Sequence, residues 1–280
     1  MFHIQLRNEL LKLAARSRTY VGFCVFCFVE VAILTLLTLP QAKRAFGQLM
    51  INNGLTFEDG YTGLSIATTI IYLTVGLLGV LYLALISGDM VAKEVEDGTM
   101  RMILARPVSR VQVLTVKAIV CIIHTFVLIF FIGITSLIAA LLYRHRLGNL
   151  VVFALAEKVF AVFSPLEGFW RYFRALVFLG LSFQTVSGLG LMFSCFPIKP
   201  ATATILTLST IFVDMVLRSL PFFRPYEHYF LTHHLACWVL TFQYVEPWTQ
   251  IWESICYLTA LTVSFWVIGG TYFCVRDFKP

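Results

Sequence analysis

Ala118-Ile-Val-Cys-Ile-Ile-His-Thr-Phe-Val-Leu-Ile-Phe-Phe-Ile-Gly-Ile-Thr-Ser-Leu-Ile-Ala-Ala-Leu-Leu-Tyr143 contains no Asp, Glu, Lys or Arg. As a helix rising about 1.5 Å per residue, it spans roughly 39 Å, more than the ~30 Å hydrocarbon core of a bilayer. Five further apolar runs, near 20–39, 64–87, 175–196, 201–217 and 249–273, approach the same length. The composition agrees. Hydrophobic residues make up 59% of the chain and charged ones 13%, with a mean hydropathy of +0.84. A soluble protein could not cover that much apolar surface, so lipid is the solvent for most of it.

The fold expected is therefore all-α: a polytopic membrane protein of about six transmembrane helices, with 1–280 forming a single transmembrane domain. Residues 1–19 read as an interfacial helix, with Leu6, Leu10 and Leu13 on one face and Arg7, Lys12, Arg16 and Arg18 supplying charge. Pro197-Ile-Lys-Pro200 separates the fourth and fifth spans tightly and makes them an antiparallel hairpin. An even number of spans places both termini on one side, taken as the cytoplasm. Twelve of the 21 Lys and Arg then lie inside and nine outside, the expected sign of bias. The segment 144–174 dissents, because it carries Arg144, Arg146, Lys158, Arg171 and Arg174 on the outer side. Its apolar middle, Val151–Phe163, is broken by Glu157 and Lys158 and reads as an interfacial helix. The loop 218–248, with Pro221, Pro225 and Pro247, reads as a short external helical segment.

The net charge of +6 is spread through loops, which points to topology and anionic lipid rather than nucleic acid. The seven cysteines are odd in number and scattered, so they form no disulfide framework. Cys24-Val-Phe-Cys27 has a redox spacing but lies in a span, where inert thiols are expected.

The segment 88–117 carries the most information. It continues the second span as a charged helix through Glu94 and Glu96. Gly98 can take the left-handed conformation that ends that helix. Thr99 can cap a short helix over 100–105, and Pro107 after Arg106 stops it. Ser109 caps a third helix through Arg110, and Lys117 meets the bilayer where the third span begins. The expected product is a stiff charged elbow suited to docking on a cytosolic partner.

Here the chain resembles a known family. Glu94, Gly98, Thr99, Leu104, Pro107, Val108, Ser109, Arg110 and Lys117 match the loop after the second span in type-2 permeases of ATP-binding-cassette transporters. The span layout is similar over nearly the whole chain. The resemblance implies an export permease of the bacterial inner membrane, not an enzyme itself, that pairs with a second permease, identical or paralogous. Two cytosolic ATPase subunits would grip the elbow at Glu94, Glu96, Gly98, Thr99, Arg106, Pro107, Ser109 and Arg110. ATP and Mg would sit on those partners, with no cofactor on this chain. Consistently, the sequence has no Gly-x-x-x-x-Gly-Lys-Ser/Thr phosphate loop. The longer, more basic 144–174 departs from the family.

Several residues inside spans are candidates for the substrate path. Glu30 lies midway through the first span, where an ionisable group is costly. Ser187, Thr204 and Thr207 supply hydroxyls that either line a path or pack helices. Asp214 and Arg218 are spaced for a local ion pair. Glu227, His228, His233 and His234 form the His-rich stretch, which leaves a membrane metal enzyme as one alternative. An ion-coupled carrier using Glu30 is another.

Overall fold

The computed structural model describes residues 2–52, 56–105, 108–154 and 159–276. Helix α1 (Phe2–Ala15) is followed by α2 (Ser17–Thr38), the two broken at Arg16, whose backbone is extended. Leu39 precedes Pro40 and is pushed out of the helical region, so α2 ends there. Pro40 then opens α3 (Pro40–Asn52), an amphipathic helix that hydropathy alone did not reveal. A short α4 (Phe57–Gly60) leads to α5 (Gly63–Thr74), capped by the Thr62 hydroxyl accepting from Ser65 N at 3.3 Å. A π-helical turn, Val75–Gly79, joins α5 to α6 (Val80–Glu96), giving one unbroken rod through the second expected span.

The short α7 (Thr99–Leu104) and long α8 (Arg110–Arg144) follow. After a two-stranded sheet come α9 (Pro165–Ser194), α10 (Pro200–Ser219), α11 (Leu231–Leu235) and α12 (Trp248–Val275). Two 3-10 segments, Pro221–Tyr229 and Cys237–Phe242, flank α11. Five helices, α2, α8, α9, α10 and α12, are each long and apolar enough to cross a bilayer. With the α5–α6 rod they give the all-α polytopic architecture that the hydropathy implied.

Helix α9 is the central post: 78% of its most apolar stretch is buried, against 11% for α2 and 22% for α10 and α12. Small residues allow its close packing. A Cβ on Gly190 would lie 2.0 Å from Ser87 Oγ of α6, and one on Gly133 of α8 would lie 2.5 Å from Leu176 of α9.

Two expectations fail on the side away from the elbow. Where an interfacial helix was expected over Val151–Phe163, the chain forms an antiparallel hairpin, β1 (Leu150–Ala154) and β2 (Val159–Phe163). Leu150 pairs with Phe163, and Val152 with Ala161. The strands are rich in Val and Phe, which suit a pleated surface, and most of their side chains are buried. Glu157 and Lys158, which argued for a helix, lie outside the described residues. Nor do Asp214 and Arg218 pair. The Asp214 carboxylate accepts from Leu231 N at 3.1 Å and Thr232 N at 2.7 Å, capping α11. Arg218 instead reaches Glu227 at 3.0 Å.

Candidate functional site

Among the described residues, the elbow is set by a break before α7 and another before α8. At the end of α6, Asp97 N donates to Lys93 O at 2.9 Å and Gly98 N to Val95 O at 3.2 Å. Gly98 has φ +72°, the left-handed conformation that glycine takes without strain. Thr99 does not cap α7. Its hydroxyl donates back to Glu94 O at 3.2 Å and folds α7 onto α6. Ser109 does cap α8: its Oγ accepts from Gln112 N at 3.2 Å. Arg106 and Pro107 lie outside the described residues.

The sequence-predicted docking residues divide into two sets. Glu96, Gly98 and Ser109 are exposed at the tip, beside exposed Asp97 and Met102. Glu94 is not at the surface. It is 5% exposed and faces Lys117, whose Nζ is 2.7 Å from Glu94 Oε2. Arg110 also turns inward: its Nη1 donates to Cys274 O at 2.9 Å and Arg276 O at 2.6 Å, which ties the start of α8 to the end of α12. A cation at a helix C-terminus offsets the carbonyl end of the helix dipole.

Lys117 does not reach the surface of the protein. Its side chain is 1% exposed, and Nζ lies 3.1 Å from Glu9 Oε2 of α1 and 2.9 Å from Met90 O of α6. Lys12 closes the cluster, 2.6 Å from Glu9 Oε1 and 3.5 Å from Glu94 Oε1. Burial pushes the Glu9 carboxyl up, but Lys117 and Lys12 outweigh it and hold its pKa below the usual value. Burial pulls the Lys12 ammonium down, yet Glu9 and Glu94 raise it on balance. A second bridge, Arg18 Nη1 to the buried Asp89 Oδ2 at 2.6 Å, ties α2 to α6. A third contact, Gln112 Nε2 donating to Gln5 Oε1 at 2.8 Å, holds α1 against α8. Helix α1, the rod and the elbow are therefore held together by ion pairs, each with at least one partner largely removed from water.

Beside this cluster lies a groove of about 710 Å³ between α1, α7 and α8. Gln5, Asn8 and Lys12 form one wall, and Thr99, Ile103 and Val113 the other. It is open at the same end of the molecule as the elbow tip. Such a surface can take an apolar side chain from a partner and meet its polar rim.

Sequence reasoning missed Glu9, Asp89 and the buried state of Lys117. One signal was present. Lys117 stands between Val116 and Ala118 at the head of a long apolar helix, and a lysine there needs a partner or a route to water.

The path candidates lie mostly inside the protomer. Glu30 is 2% exposed, with its Oε1 3.0 Å from Thr135 Oγ1 and 3.1 Å from Ser136 Oγ of α8. Ser187 joins Thr125 at 2.7 Å between α9 and α8. Thr207 is buried and donates to Ala203 O in its own helix. Thr204 is half-buried and donates to Pro200 O at 3.2 Å, against Gly88 of α6. At the opposite end of the molecule, His234 lies between Ser254 Oγ at 3.0 Å and His228 O at 2.9 Å, while His233 reaches Glu227 at 3.2 Å. Among the described residues, no three His, Cys, Asp or Glu side chains converge as a metal site.

A family model described as "ABC-2 family transporter protein" matches residues 5–213, well over half the chain. The chain belongs to the ABC-2 transporter family. The match runs from α1 through most of α10 and includes the elbow, the ion cluster and the hairpin. A comparison with curated proteins found no match. As an ABC-2 permease, the chain is a multi-pass membrane subunit of an ABC transporter, and its family works with ABC ATPase subunits. The segment Pro221–Phe242 and α12 lie beyond the matched residues.

Proposed function

We propose that this ABC-2 permease exports its substrate through a path formed with a second permease, identical or paralogous, driven by two cytosolic ATPase subunits that hold the 88–117 elbow. The observation that carries the reading is the union of an exposed tip with a buried root. Glu96, Asp97, Met102 and Ser109 face outward, while Glu94 and Lys117 lock the base of the elbow to α1 and the rod. A push on the tip is then delivered to the spans rather than lost in a flexible loop. In this reading Glu94 and Arg110 transmit force and do not touch the partner. The adjoining groove receives an ATPase side chain. ATP and Mg stay on the partners, both termini are cytoplasmic, and the membrane is the bacterial inner membrane.

The weak burial of α2 and α10 within one protomer supports pairing through their exposed faces. The burial of Glu30, Ser187 and Thr207 makes them packing residues, which leaves half-buried Thr204 nearest to a path.

The test is to co-express the permease with its candidate ATPase and measure ATP hydrolysis, transport and complex recovery. Met102→Asp with Glu96→Lys should release the ATPase while the permease remains inserted at wild-type level. Recovery of an intact, coupled complex would refute the docking assignment. Ser109→Cys should react with an impermeant thiol reagent only after cells are permeabilised. Labelling in intact cells would reverse the topology and sink the proposal.

A further inference from the structure

Glu94 and Asp89 leave water with a cation beside them, Lys117 at 2.7 Å and Arg18 at 2.6 Å. Glu30 does not. It is 2% exposed and lies midway along α2. Among the described residues, no Lys, Arg or His forms an ion pair with it. A carboxylate held in a span without a counter-charge is costly. Either a cation from outside the chain accompanies Glu30 or the carboxyl keeps its proton.

The hydrogen bonds decide between the two. Thr135 Oγ1 and Ser136 Oγ of α8 lie 3.0 and 3.1 Å from Glu30 Oε1. A hydroxyl that donates to an ionised carboxylate closes to about 2.5–2.7 Å, so these are the lengths of contacts to a neutral group. Thr135 Oγ1 carries a single hydrogen, and Phe131 O at 2.7 Å is a closer acceptor for it than Glu30. With that hydrogen on Phe131 O, the contact between Glu30 and Thr135 needs a hydrogen from the carboxyl. Ser136 gives its own hydrogen to the same carboxyl.

The neighbouring groups do not supply a charge. Cys27, one turn earlier on α2, and Tyr172 of α9 are titratable groups that interact electrostatically with Glu30. The Tyr172 hydroxyl donates to Gly133 O at 2.7 Å, so its hydrogen is committed elsewhere. Helix α5, which also packs on α2, has no Asp, Glu, Lys, Arg or His. Lys43 of α3 lies over the Tyr143 ring, about two turns past Ser136 on α8.

We propose that Glu30, Thr135 and Ser136 form a proton-binding site between α2 and α8. The carboxyl is undissociated at neutral pH, donates to Thr135 Oγ1 and accepts from Ser136 Oγ. The bound proton ties α2 to α8, and α2 buries the smallest share of its apolar stretch among the five long spans. Releasing the proton strands a charge between the two helices, so the packing of α2 depends on the proton being held. The site depends on neither the ATPase nor the direction of transport.

Infrared spectroscopy of the purified full-length protein in lipid bilayers tests this at pH 7, where ordinary Asp and Glu side chains are ionised. The wild type should show the carbonyl stretch of an undissociated carboxylic acid, and Glu30→Gln should lose it. Thr135→Val with Ser136→Ala should keep the band and move it to higher frequency, because the carboxyl loses its hydrogen-bond partners. A wild type without the band would overturn the proposal, as would a band that persists in Glu30→Gln. An unmoved band in the double variant would remove the two hydroxyls from the site and overturn it too. A band present in choline buffer and abolished by sodium at the same pH would assign the site to a metal cation, and would overturn it as well.

Discussion

Lys117→Met tests whether the base of the elbow is held by buried charge. The substitution keeps the length of the side chain and removes the cation between two carboxylates whose side chains are 15% and 7% exposed, Glu9 and Glu94. Removing one member of a buried ion pair costs roughly 3–5 kcal/mol, because the other charge stays out of water. Lys12 remains 2.6 Å from Glu9 and 3.5 Å from Glu94, but it is 47% exposed and screened by solvent. It offsets part of the loss, so about 2–3 kcal/mol is expected. For a chain of this size that lowers the apparent Tm by about 6 °C. The assay is thermal unfolding of detergent-purified protein, followed by the size-exclusion profile of the fluorescently tagged chain. Adding Glu94→Gln to Lys117→Met removes the stranded charge and should recover about half of the loss. A Lys117→Met protein within about 1 °C of wild type would refute the reasoning. So would a double variant no better than the single one.

Other expectations follow from the same geometry. The ion cluster has a defined pH window: Glu9, with its pKa lowered from 4.5, stabilises α1 docking above about pH 4.5 and loses that contribution as pH falls through its folded value. Lys12, with its pKa raised from 10.5, stabilises below about pH 10.5 and loses the contribution as pH rises through its folded value. Thermal unfolding across pH checks both, and a wild-type Tm that stays unchanged as pH is lowered from 5 to 3 would contradict the first. At the other end of the molecule, burial lowers His234 from its ordinary value of 6.5. The unfolded chain therefore binds more protons just below pH 6.5, and stability should drop on acidification from there; His234→Gln should flatten that slope, and an unchanged slope would assign it elsewhere. Gly22→Ala places a Cβ 2.1 Å from Tyr82 Cε2, so it should cost roughly 1–3 kcal/mol by pushing α2 off α6 and should loosen the Tyr82 bond to Thr19 O. Glu30→Gln keeps an oxygen for Thr135 and Ser136 and should stay within about 1 kcal/mol of wild type, whereas Glu30→Ala should cost roughly 1–3 kcal/mol; equal losses would show that the two hydroxyls do not matter.

Much of this protein was legible along the chain. Long apolar runs fix the spans, because a bilayer demands a set length and internally satisfied backbone from each crossing segment. The elbow's breaks were legible too, since Gly98 and Ser109 act through the few residues beside them. Hydropathy could not show the amphipathic α3, which is short and nearly neutral in mean character. Nor could it tell the hairpin from a helix, because β1 pairs with β2, and the backing comes from α5 behind β1 and from Cys237–Phe242 behind β2.

The candidate site was only half legible. The sequence marks the charges of the elbow but not which of them face water. Glu94 and Glu96 are two residues apart on one helix, so they point to different sides, and only packing decides which is buried. Lys117 meets Glu9 across 108 positions of sequence, and Arg110 meets Cys274 across 164. Pairings of that range come from the way whole helices settle against one another. Local pattern determined where the chain crosses lipid and where it turns, and tertiary structure alone decided which charges left water together.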